Sequence, residues 1–99
     1  MPRPRSKPSQ SRHDRKVKQL ARQYERKGYK VKADLEGYER PESIRKLRPD
    51  LRVKKGGHET VVEVETKDSV DTTRAKKQQK AFKDWSEGSP TKHFKKEVT

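Results

Sequence analysis

Two runs separated by one turn decide how this chain folds: Pro49-Asp50-Leu51-Arg52-Val53-Lys54 and Thr60-Val61-Val62-Glu63-Val64-Glu65-Thr66, joined through Lys55-Gly56-Gly57-His58. Residues 50–54 and 60–66 read as the clearest strands of the chain. A Gly-Gly pair suits a tight hairpin turn with positive φ. Strand side chains alternate between faces. Leu51 and Val53 therefore point one way and Asp50, Arg52 and Lys54 the other, while Val62 and Val64 oppose Val61, Glu63 and Glu65. Lys67 joins the Glu63 face if the strand runs that far. The hairpin thus sets Asp50, Glu63, Glu65 and Lys67 around a single turn in a chain of net charge +13. Acids so grouped in a basic protein are costly unless they bind something, and a divalent cation is the natural candidate. The plainer reading makes Asp50 a turn residue after Pro49. It pairs Glu63 and Glu65 across the hairpin with Arg52 or Lys54.

Outward from the hairpin, Val17, Leu20, Ala21 and Tyr24 fall at helical spacing and predict a first helix from about residue 12 to Lys27. Ser11 can cap it with Asp14 as a partial capping box, and Gly28 can stop it. Residues 29–33 alternate apolar and Lys and read as a half-exposed strand. Residues 34–48 form a connector with one helical turn expected over 41–46, where Ile44 is the strong core candidate. A second helix is expected over residues 72–85, capped by Asp71, Thr72 or Thr73, with Ala75, Gln78, Phe82 and Trp85 as its inward stripe. Residues 91–98 make a last polar strand, expected at a sheet edge and anchored by Phe94. The order is helix, strand, strand, strand, helix, strand: an α/β fold with helices on a mixed sheet of about four strands. Residues 1–12, with Pro2, Pro4 and Pro8, read as a flexible basic arm, and residues 13–99 as a single domain.

Hydrophobic residues make up only 24% of the chain and charged ones 43%, so the core must be thin. Lys and Arg number 28 against 15 Asp and Glu, which points to a polyanionic partner, nucleic acid first. No apolar run approaches the roughly 20 residues of a spanning helix, and membrane binding is not expected. There is no cysteine, hence no disulfide and no thiolate zinc site, and the cytoplasm is the expected compartment. His13, His58 and His93 form no metal-ligand spacing and receive no catalytic role.

Magnesium takes oxygen ligands, often one or two carboxylates with waters and phosphate. Asp50 and Glu63 on adjacent strands suit that task, with the Val64 carbonyl as a further ligand. Pro49-Asp50, twelve intervening residues and Glu63-Val64-Glu65 resemble the PD-(D/E)xK motif of restriction-endonuclease-like nucleases. The element order resembles that family's core from about Asp14 to Val98, a layout shared by archaeal Holliday-junction resolvases and small uncharacterised nuclease-like proteins. The resemblance implies Mg²⁺- or Mn²⁺-dependent hydrolysis of DNA, with Asp50 and Glu63 as metal ligands. Gln79 would match a polar residue of the following helix, and Asp14 or Glu25 the acid of the first helix. Position 65 departs from the pattern, carrying Glu where Lys is expected. Lys67 is the preferred substitute cation, with Lys76 and Lys80 as alternatives, and Glu65 is a further acid able to take a second ion. Arg3, Arg5, Lys7, Arg12, Lys76, Lys80 and Gln79 are the expected nucleic-acid contacts. A homodimer would serve two-strand cleavage. The rival expectations are a nuclease-like binding module that no longer cuts, and a basic RNA-associated structural protein.

Overall fold

The computed structural model describes residues 7–67 and 72–99, with side chains from residue 10 onward. The elements are α1 (Lys7–Arg26), β1 (Lys30–Ala33), β2 (Leu51–Lys55), β3 (His58–Glu65), α2 (Thr73–Ser86) and β4 (Lys92–Val98). The sheet order is β1-β2-β3-β4, antiparallel for the first two pairings and parallel for β3 with β4. This is the expected mixed α/β core, with β4 at an edge.

One alternation along β3 assigns the two helices to opposite faces. Val62 and Val64 pack with Leu51, Ala33 and the Val17, Leu20 and Ala21 stripe of α1. Val61, between them in the chain, packs with Phe82 of α2 and with Ile44. Both clusters are small, as the composition requires, and each is extended by half-buried aromatic or aliphatic residues: Tyr24 and Tyr38 on the first, Trp85 and Phe94 on the second.

The turn between β2 and β3 has Gly56 at φ 58° and Gly57 at φ 81°. Two successive positive φ values are the signature of the type I′ hairpin turn, whose twist matches its strands. The Thr72 hydroxyl accepts from the Ala75 N–H at 3.2 Å and caps α2. Ala75, Ala81 and Phe82 are its buried residues, while Gln78 and Trp85 of the expected stripe are half-buried.

Three expectations need correction. First, α1 begins at Lys7, not near residue 12, so Ser11 lies inside the helix and does not cap it. Pro8 does not prevent this, because the first turn has no intrahelical N–H bond to lose. Lys7 and Arg12 are therefore helical, while Arg3 and Arg5 of the arm, and Asp71 as a cap, lie outside the described residues. Second, β2 and β3 run from 51 to 55 and from 58 to 65, and β3 ends before Lys67.

Third, residues 41–46 form no helical turn. Ile44 and Leu47 exchange both backbone hydrogen bonds, at 2.8 and 2.9 Å, around Arg45 at φ 51° and Lys46 at φ 66°. Left-handed backbone costs a residue with a Cβ about 1–2 kcal/mol. The turn is held all the same, because Ile44 is buried in the α2-side cluster. Lys46→Gly is expected to stabilise the protein by about 0.5–1 kcal/mol, the relieved strain less the added freedom of the unfolded chain. Urea unfolding checks this, and a lowered midpoint would contradict it.

Candidate functional site

β2 and β3 pair Leu51 with Val62, and one further step sets Asp50 beside Glu63. Ahead of β2 the regular ladder stops, and the two carboxylates take over its hydrogen bonding. The Asp50 N–H donates to Glu63 Oε1 at 2.9 Å, and the Val64 N–H donates to Asp50 Oδ2 at 2.9 Å. Each acid is thus tied to the strand of the other, and Glu63 is buried. Glu65 follows on the same strand face and is buried too, as is Thr66.

The other Asp50 oxygen faces α1. His13 Nε2 lies 3.2 Å from Asp50 Oδ1, and His13 Nδ1 lies 3.1 Å from Asp14 Oδ1. Asp14 is further held by the side-chain amide of Gln10 at 2.8 Å. The Nδ1 contact has hydrogen-bond geometry, whereas the Nε2 approach to Asp50 does not, so it acts through charge when the ring is protonated. The buried His13 therefore brings the first helix against Asp50, whose orientation is set by the Val64 N–H. Of the two acids considered on α1, Asp14 joins this chain. Glu25 instead accepts from the Tyr38 hydroxyl at 2.7 Å, an interaction that raises the Tyr38 pKa.

His13 is the residue that sequence reading passed over. Its signal was present, since position 13 is one helical repeat ahead of Val17 and continues the buried stripe. Lys96 is a second such residue. The parallel register of β4 makes it the partner of Glu63, so an exposed ammonium stem rises on the Glu63 face. Lys67 is exposed in the turn after β3, where strand alternation no longer carries it onto that face. Lys76 and Lys80 are exposed on α2, Lys80 with Asp84 at 3.7 Å, and Gln79 is half-buried.

Among the described residues, no three His, Asp or Glu side chains gather into a metal-holding group. The donor set still suits a hard divalent cation. Mg²⁺ is commonly held by one or two carboxylates, with water and substrate phosphate completing an octahedron. Asp50 and Glu63 are two such carboxylates, and a carboxylate oxygen that accepts one hydrogen bond keeps a second lone pair.

Away from the acids, charges on β1 and β2 organise one another. The Arg52 Nε–H donates to Glu59 at 2.9 Å, and the Arg52 guanidinium also donates to the Glu42 carbonyl at 3.2 Å. Lys32 donates to the Glu42 carboxylate at 2.6 Å, which lowers the Glu42 pKa and raises that of Lys32. Among the described residues no helix is long and apolar enough to cross a membrane.

Comparison with known proteins comes down to one match. A family model described as REase_AHJR-like matches residues 6–98. No curated protein and no solved structure matches the chain.

Proposed function

The chain belongs to the REase_AHJR-like family of the PD-(D/E)xK nuclease-like superfamily, and on that footing we propose that it is a metal-dependent nuclease that hydrolyses phosphodiester bonds of DNA. The observation that carries the proposal is the crosswise bonding of Asp50 and Glu63 at the head of β2 and β3. It brings two hard-oxygen donors to one end of the sheet in a fold of the right family.

In this reading Asp50 and Glu63 hold Mg²⁺ or Mn²⁺, with the Val64 carbonyl available beside them. Bound there, such an ion would lower the pKa of a coordinated water and neutralise charge on the scissile phosphate. His13 brings α1 against Asp50 through its 3.2 Å contact. Lys67, or Lys96 across the β3–β4 pairing, holds the phosphate and meets the charge that develops on it. Glu65 adds a third acid on that strand. The lysines of α2 and the arm around Arg3 and Arg5 hold the backbone without reading sequence. A homodimer would present two such sites to the two strands of a duplex.

Binding without cleavage is the second reading, favoured by Glu65 standing where the family motif has Lys. Plasmid, linear, single-stranded and branched DNA, with an RNA control, incubated with Mg²⁺ or Mn²⁺ separate the two. The nuclease reading expects metal-dependent cutting of at least one DNA form, abolished by EDTA. Retention of every substrate intact, with binding preserved, would leave the binding module.

A further inference from the structure

On the face of the sheet that carries Val61 and Phe94, α2 packs on β3 and β4 and reaches β2 only through the Trp85 ring over Arg52. On that same face β1 lies beyond the helix. Its register with β2 sets Lys32 opposite Arg52 and Lys30 opposite Lys54, two consecutive rungs of like charge. Like charges directly opposite one another on a sheet are destabilising. Glu59 and Glu42 offset part of this charge: Glu59 lies 2.9 Å from Arg52 and 3.8 Å from Lys54, and Glu42 lies 2.6 Å from Lys32. Four cations against two acids leave the face net positive, around a cavity of about 100 Å³ lined by these six residues.

Arg52 is the fixed point of the group. Glu59 and the Glu42 carbonyl take two of its N–H groups, and its guanidinium carbon sits 5.3 Å from the centroid of the Trp85 ring. A planar fork already immobilised, with N–H groups to spare, is suited to phosphate. Lys30 and Lys54 are exposed at the next rung, Lys54 with its ammonium 3.8 Å from Glu59. Rungs two residues apart are spaced by about 6.8 Å along the strand, and the series Asp50, Arg52, Lys54 leads from the acid pair outward along β2.

We propose that this basic face of β1 and β2, exposed at Lys30 and Lys54, is the track for a nucleic-acid phosphodiester backbone, which runs along β2 and delivers one phosphate to Asp50 and Glu63. The role of the last step rests on the nuclease reading, while the track itself does not. Successive phosphates lie over the Lys32–Arg52 and Lys30–Lys54 rungs. The exposed Glu42 carboxylate gives up Lys32 to the incoming anion.

The test is binding in EDTA, which needs no cleavage. Fluorescence anisotropy follows a labelled single strand and a duplex over a salt series, for the wild type, Lys30→Gln/Lys54→Gln, and a control, Lys18→Gln/Arg22→Gln, on the exposed side of α1. Loss of two phosphate contacts lowers the log–log salt slope by about 1.4 for the single strand and about 1.8 for the duplex. Thermal melts confirm that both variants are folded, because the replaced side chains are exposed. An unchanged slope for the β1–β2 variant, or an equal fall for the α1 control, overturns the track. A wild type that binds with the expected slopes yet never cuts would remove the nuclease reading and leave the track standing. Cutting with no change of slope would do the reverse.

Discussion

Asp50→Asn and Glu63→Gln are each expected to lower the cleavage rate on the order of 10³-fold while the protein stays folded. The amide keeps what the fold needs. An Asn at position 50 still offers an oxygen to the Val64 N–H, and its NH₂ is matched by the Nε2 lone pair of a neutral His13 whose Nδ1–H stays on Asp14; a Gln at position 63 still accepts from the Asp50 N–H. What disappears is the negative charge that would hold the cation. Asp50→Ala differs in kind. It strands the Val64 N–H, at about 1–3 kcal/mol for a buried group left without its partner. The alanine variant should therefore lose thermal stability as well as activity, and the asparagine variant activity alone. Rates with Mg²⁺, measured beside thermal melts, distinguish these outcomes. An Asn variant that cuts as fast as the wild type would remove Asp50 from the metal site.

The same residues show where sequence was sufficient and where it was not. The hairpin was legible because two independent rules agreed: apolar and polar residues alternate on both sides, and a Gly-Gly pair joins them with φ values of 58° and 81° that only glycine adopts freely. The α1 stripe was legible from 3.6-residue spacing, and Val17, Leu20 and Ala21 are buried as that spacing requires. The start of α1 was not, since proline breaks helices in their interior but is tolerated in their first turn. The bridge at Ile44 and Leu47 was hidden by its chemistry: Arg45 and Lys46 carry none of the turn residues that announce positive φ. The site divides in the same way. Asp50 and Glu63 are close in chain and linked by a visible turn. His13 reaches Asp50 only once α1 is packed on the sheet, and Lys96 becomes the register partner of Glu63 only through a parallel pairing that no short sequence pattern fixes. The rungs of Lys30 and Lys32 against Lys54 and Arg52 likewise depend on pairing across a long connector.

Phe82→Ala is expected to bring the protein close to unfolding. Phe82 is fully buried and is the largest of the fully buried side chains. It is also the only α2 side chain in a buried cluster otherwise made of Val61 and Ile44 among the described residues. Truncating a buried Phe to Ala costs about 3–5 kcal/mol. Small domains hold about 5–15 kcal/mol in all, and one with so few apolar residues belongs near the lower end. The loss also has a direction. Phe82 is the contact that seats α2 on β3, through Val61 and through the Phe94 ring 6.2 Å away on β4. Without it, α2 loosens from the face that carries Glu63 and Glu65, so the acid site should fail before the α1 side of the sheet does. Hydrogen exchange would report this as early loss of protection in α2 and β4, with β1, β2 and α1 protected longer. Nucleic acid that binds only the folded form returns about 2.7 kcal/mol at a hundredfold excess over its dissociation constant. Urea unfolding of Phe82→Ala with and without an oligonucleotide should thus show a low midpoint largely recovered by the ligand. A wild-type midpoint in its absence would mean that the α2-side cluster contributes little, and that α1 alone holds the sheet together.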